Sequence, residues 1–379
     1  MSNALPSPSA PVRREGPVGL RPSRPILPAL VLTAALALSS CTLGPVRIGA
    51  DDTALPALTA IEAIRDQAAR TEAAAATRAG SLASDTGECE SCHAVLTAVE
   101  ADSRQRETAI GGVWDPWAGR PPEGAQDVPA IADAPVEVPE FTSWLAQTAR
   151  RDLAIASDPA RTAPEEARLL AALALGRYRS ALALAEVYGL GIEAGDGRVE
   201  DLNDRLRAIT GTDSLSLLGT WGLDSKALEE STTLPPSELE GAREALGGSE
   251  ELRKAVAAWD CAAQTLPRAA LIDGSAPGPT PRMNALFTRV DALISAGAPD
   301  GRALRCELEA RDADSLSMTL IAADLSLLSS DEAAVRLVGA HAALEDLRAF
   351  PVGAGASSPA LIGAEALLSE SAQSAAAGE

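Results

Sequence analysis

The stretch Cys89-Glu90-Ser91-Cys92-His93 concentrates the reactive side chains of this chain. Two thiols separated by two residues and followed by a histidine can do three things. They can take the vinyl groups of a c-type haem while His93 ligates the iron. They can exchange electrons as a dithiol, with Cys92 near a helix start whose dipole stabilises a thiolate. Or they can close on each other as a structural disulfide. Haem needs a second axial ligand, and residues 57–140 hold no methionine and no other histidine. Met283, Met318 or His341 would have to reach across from the other half of the chain. Thiol exchange is opposed by Glu88 and Glu90, whose charges raise the cost of a nearby thiolate. The expectation is a structural disulfide and no cofactor. The alternative is haem c, or a thiol-redox centre, on Cys89, Cys92 and His93.

Other chemistry is thinly represented. His93 and His341 are the only histidines, so a Ser-His-Asp or Cys-His arrangement has few candidate bases. Glu90-x-x-His93 is the only Glu-x-x-His pair, too little for a di-iron bundle. No Gly-rich loop follows a strand pattern. Neither a catalytic nor a metal site is expected. Trp114 and Trp117 lie in a loop, Gly111-Gly-Val-Trp-Asp-Pro-Trp117. Exposed, they would be an interaction patch for a partner or glycan. Folded back, they would be a lid on a helical core, which is the preferred reading because buried tryptophan supplies area to anchor a loop.

The N-terminus carries an address. Arg13, Arg14, Arg21 and Arg24 precede an apolar run from Ile26 to Leu38. That run is shorter than the ~20 residues a helix needs to cross a bilayer, and it matches the apolar part of a signal peptide behind a basic segment. It ends in Leu38-Ser39-Ser40-Cys41, which resembles the lipobox of exported bacterial lipoproteins. The resemblance implies cleavage before Cys41, acylation of that cysteine, and attachment to the outer face of a cell membrane. The chain as a whole resembles uncharacterised exported lipoproteins of GC-rich bacteria, and the lipobox is the only part of that resemblance with firm residues. Two or more acyl chains hold a protein stably on a membrane, at ~0.8 kcal/mol per buried methylene.

With Cys41 acylated, four cysteines remain, an even number in an oxidising compartment. Of the three pairings, Cys89–Cys92 with Cys261–Cys306 is preferred, because the latter would tie two helices together. Cleavage would remove four arginines and one glutamate, taking the net charge from −21 to −24. Such a body repels phosphate backbones, so nucleic acid is not an expected partner. The expected partners are the membrane through the anchor, and an envelope protein or small ligand that the sequence does not name.

The elements that must position these residues are helical. The chain is 46% hydrophobic but only 3% aromatic, so its core is built from Ala, Leu and Val, and Ala and Leu favour helix. Leu252, Val256, Trp259, Ala263 and Leu266 recur at helical spacing. Thr162-Ala-Pro-Glu165 reads as an N-cap, a first-turn proline and a capping-box acid. No alternating run long enough for a strand appears. The fold class expected is all-α, a multi-helix bundle of seven to nine helices, either as one body or with a separate N-terminal hairpin. The divisions are a signal peptide (1–40), a tether (41–56), a helical hairpin (57–112), a Pro-rich loop (113–139), a C-terminal bundle (140–372) and a disordered tail (373–379). Within the bundle, short helices are also expected near Leu202–Leu206 and Pro359–Leu368.

Overall fold

Alanine dominates the first helix, and it sets the architecture around it. In a computed structural model of the chain, residues 53–191, 236–273, 279–304, 306 and 313–349 are described. They form helices α1 (Ala60–Ser84), α2 (Glu90–Ala109), α3 (Val138–Ala156), α4 (Pro164–Tyr188), α5 (Pro236–Gly248), α6 (Glu250–Asp273), α7 (Pro279–Ser295), α8 (Ala313–Leu327) and α9 (Ala333–Ala349), with no strand among the described residues. The protein is all-α. Cys41, the signal segment and the helices expected near 202–206 and 359–368 lie outside the described residues.

The helix ends follow their sequences. Thr59 caps α1 through a reciprocal box: its hydroxyl accepts from Glu62 N, and Glu62 Oε2 accepts from Thr59 N at 2.8 Å. Past α2, Gly111 and Gly112 take φ of +103° and +76°, and Gly112 N closes onto Glu107 O at 2.9 Å. Glycine adopts that backbone without strain. The start of α4 departs from expectation. Its N-cap is Ala163, with no side-chain cap. The Thr162 hydroxyl instead donates to the carbonyls of Ala156 and Asp158 and accepts from Arg336 Nη1 at 3.0 Å. A buried guanidinium that seeks acceptors outcompetes a routine cap.

α1 pairs with α2 and α3 with α4, and α2 also packs on α4 and α1 on α3. Their shared cluster runs through Ala68, Ala75 and Ala79 of α1, Leu96 and Val99 of α2, Phe141 and Leu145 of α3, and Leu170 and Leu173 of α4. The small α1 face lets its neighbours approach closely. A second cluster joins α5 to α9 around Leu252, Val256, Trp259 and Leu286. Helices α8 and α9 serve both. Ile321, Leu325, Ala343 and Leu347 enter the first cluster, whereas Leu316, Leu320, Val335 and Val338 enter the second. A helix that is apolar on opposite faces must be buried on both. The α1–α2 hairpin therefore shares its apolar interior with α3, α4 and the last two helices, within one compact unit.

Segment 111–137 runs back over α1 as a strap. Arg70 Nη1 donates to Pro129 O at 2.6 Å and Arg78 Nε to Ala134 O at 3.0 Å. Gln126 N donates to Thr53 O at 2.7 Å.

Candidate functional site

The cysteine-histidine stretch sits at the start of α2. Cys89 is the N-cap, and its sulfur accepts from Cys92 N at 3.3 Å. The two cysteines are at disulfide distance, Cα to Cα 5.2 Å, within the range such bonds require. Cys92 is buried and Cys89 half-buried. His93 follows in the first turn, its ring exposed and its N–H bonded to Cys89 O at 3.0 Å.

These residues do not fit a covalent haem. Each sulfur is taken by the other. His93 is flanked by exposed Ser91 and Ala94, while the apolar side of α2, Leu96 and Val99, faces α1 and α4 instead. The candidate second ligands belong elsewhere. Met283 packs on the second apolar cluster, Met318 on the first, and His341 is buried on α9 with Nε2 3.7 Å from Glu345 Oε1.

Cys261 on α6 and Cys306 are likewise at disulfide distance, Cα to Cα 5.1 Å. Thr265, one turn along α6, places its hydroxyl 3.8 Å from the Cys306 sulfur and donates to Cys261 O. The bridge secures the segment between α7 and α8 to the outer side of α6.

Trp114 and Trp117 are each half-buried in the strap. Trp114 N donates to Asp66 Oδ1 of α1 at 2.8 Å, and Trp117 Nε1 donates to Gln126 O at 3.3 Å. Asp115 holds the turn between them, accepting from Trp117 N and Gly119 N. Neighbouring Val113 packs on the first apolar cluster.

The groups with the strongest electrostatics were not visible in sequence. In the centre of α1–α4, Glu72 Oε1 accepts from Arg177 Nε and Nη2 at 2.9 and 2.7 Å, and Oε2 accepts from Arg106 Nε at 3.0 Å. Arg177 Nη1 also reaches Asp152 Oδ2 at 2.7 Å. Glu72, Arg106 and Arg177 are entirely buried. Burial works against the Arg177 charge, but Glu72 and Asp152 outweigh it and hold the guanidinium above its ordinary value. The alanines flanking Glu72 leave room for both arginine heads. Nearby Asp102 is pushed up by burial, with Arg106 opposing.

A second buried cluster joins α6 to α9. Arg289 of α7 grips Asp346 with two parallel bonds of 2.8 and 2.9 Å, reaches Glu345 Oε2 at 2.9 Å, and lies 5.1 Å from the centre of the Trp259 ring. Trp259 Nε1 donates to Asp324 Oδ1 at 2.8 Å. Both clusters are largely buried, and they read as internal fastenings. The surface offers an open cleft of about 560 Å³ between the α5–α6 junction and the α8–α9 turn, lined by Glu244, Ser249, Glu251, Ser330, Asp331 and Glu332. Its walls are anionic and would reject a phosphate or carboxylate ligand.

No protein-family model, no curated protein and no solved structure matches the chain.

Proposed function

We propose that this chain is a lipid-anchored protein of the extracytoplasmic face of a cell membrane, acylated on Cys41, whose helical body works by binding or scaffolding. The observation that carries the reading is the order of features in the first 41 residues: clustered arginines, an apolar run too short to span, then Leu-Ser-Ser-Cys. Two further points support it. No helix among the described residues is long and apolar enough to cross a membrane. The half-cystines at disulfide distance suit an oxidising compartment. The test is Cys41→Ala in the expressing cell with fractionation and fatty-acid labelling. The parent should take label and sediment with membranes. The variant should lose the label and appear in the soluble fraction or as uncleaved precursor. A processed, membrane-bound, unlabelled parent would overturn the anchor.

A second reading is favoured by one observation, the half-buried Cys89 sulfur at the N-cap of α2. Reduced, that sulfur would be a thiolate facing Cys92 N–H and the positive end of a helix. It could attack a disulfide in an exported protein, forming a mixed disulfide that Cys92 resolves, so that the partner leaves as a dithiol and Cys89–Cys92 is re-formed. Equilibration with a glutathione redox buffer tests this. A Cys89 thiol that titrates in the ordinary cysteine range, with a disulfide too stable to exchange, leaves the bond as a structural cap.

A further inference from the structure

Helix α8 places Asp324 where no side chain pays its full charge. The residue has no solvent exposure. One oxygen, Oδ1, is satisfied by Trp259 of α6. The other, Oδ2, is buried and has no hydrogen-bond partner among the described residues. Beside the Asp324 carboxyl lies that of Asp346 of α9, another acceptor, and both Asp346 oxygens are already occupied by Arg289 of α7. Glu345 leans on the same guanidinium. Arg289 is thus shared among three carboxyl groups, of which Asp324 and Asp346 are buried from water.

Among the described residues, Arg289 is the cation that acts on Asp324, and the other charged groups nearby are engaged elsewhere. From α6, the indole of Trp259 points at it, and the adjacent buried Asp260 is turned to Gln264. From α7, Arg289 is the cation that reaches it, while Asp291 is exposed and paired with Arg302. From α9, Glu345 stands between Arg289 and His341, and Arg336 is committed to the carbonyls of Ser330 and Thr162. Toward α4, the flanking face of α8 presents Ile321, Leu325 and Leu328.

An orphaned acceptor beside a second acceptor is repaired by a hydrogen atom between them. We propose that Asp324 and Asp346 hold one proton in common, carried on Asp324 Oδ2 and donated to the Asp346 carboxylate, and that this proton fastens α8 to α9 in the folded protein. Asp324 is then a carboxylic acid that accepts from Trp259 and donates to Asp346, with both of its own oxygens paired. Asp346 remains the anion that Arg289 holds. Removing the proton leaves two buried anions against each other, so the α6–α9 half of the molecule loosens as the pH rises through the folded value of this carboxyl. Burial first, then the neighbouring Asp346, push the Asp324 carboxyl well above its ordinary range near 3.8.

The sign of the pH effect follows. A carboxyl raised in the folded state stabilises fully below the unfolded value and loses that contribution as pH rises through the folded one. Between the two, the folded state holds one more proton than the unfolded, and the folding constant falls by up to about tenfold per pH unit. The test compares the parent with Asp324→Asn by chemical denaturation from mildly acidic to alkaline pH. The amide reproduces the protonated acid, accepting from Trp259 and donating to Asp346. It should fold, match or exceed the parent as the pH rises, and lack the parent's decline between the unfolded and folded carboxyl values. An equal decline in both proteins overturns the proposal. Should the variant not fold, the carboxyl carbon shift of Asp324 in labelled parent decides. A protonated-acid shift at neutral pH supports the shared proton, and a carboxylate shift removes it.

Discussion

Arg336 of α9 donates through Nη1 to both the carbonyl and the hydroxyl of Thr162, at 2.9 and 3.0 Å, 174 positions back along the chain. Its Nε donates to Ser330 O. The guanidinium thus closes the turn into α9 and the turn into α4 together, in a site where burial pulls its pKa below the ordinary arginine value.

Arg336→Met keeps much of the side-chain volume and removes the donors. The carbonyls of Thr162 and Ser330 are then left without that partner, and each such loss costs ~1–3 kcal/mol. We expect a loss of about 2–4 kcal/mol, read as a lower denaturation midpoint with unchanged slope. Arg336→Lys should recover only part, because a compact ammonium lacks the spread of the planar guanidinium fork that reaches Ser330 and Thr162 from different nitrogens. A loss under ~0.5 kcal/mol would show that water replaces the arginine at no cost.

Glu72→Gln should be among the most damaging single changes in the protein. It leaves Arg106 and Arg177 buried around a neutral amide, and stripping one partner from a buried ion pair costs ~3–5 kcal/mol. In a double-mutant cycle, Glu72→Leu with Arg177→Leu should cost less than the sum of the single changes. Additive losses would mean that the two side chains do not act as a pair.

Gly339 is required by the crossing of α8 and α9. A Cβ built there meets Leu327 Cβ at 2.7 Å, Leu328 Cδ2 at 2.7 Å and Asp324 O at 2.8 Å. One of these is backbone and cannot swing aside. Gly339→Ala should therefore cost about 1–3 kcal/mol through overpacking, despite the better helix propensity of alanine. Thermal melting of the variant checks this, and a raised Tm would refute the tight crossing.

The two cysteine pairs should differ in their effect on stability. Opening Cys261–Cys306, which spans 45 positions, should cost about 3–4 kcal/mol on the chain-entropy argument, whereas Cys89–Cys92 closes so short a loop that ~1–2 kcal/mol is expected. Paired alanine substitutions in each bridge, followed by denaturation without reductant, measure both. Peptide mapping of the unreduced parent should return these two pairs. Equal losses from the two bridges would contradict loop length as the governing quantity.

The helical class was legible because it depends on local spacing. The face Leu252–Leu266 of α6 repeats every three or four residues, and those residues line the second apolar cluster. Cysteine pairing could be argued from count and position. Glu72, Arg106, Asp152 and Arg177 could not be foreseen, since each comes from a different helix and looks, in its own segment, like an ordinary surface charge. Asp324 and Asp346 were hidden for the same reason. Thr162 was misread because its competitor for hydrogen bonding, Arg336, is far away in sequence. Helices α8 and α9 give a weak periodic signal because both of their faces are covered.

That double coverage also constrains the order in which the molecule can come into being. The first four helices emerge early, yet part of the wall that closes their interior is Ile321, Leu325, Ala343 and Leu347, near the other end of the chain. Until those residues arrive, the nascent N-terminal half carries an open apolar seam. Closing it is a long-range event, which slows folding relative to a bundle built from neighbouring helices. A ribosome or a translocation pore would release this chain unfinished until its final helices are through, and a premature stop anywhere before α8 would leave a sticky fragment rather than a smaller stable domain.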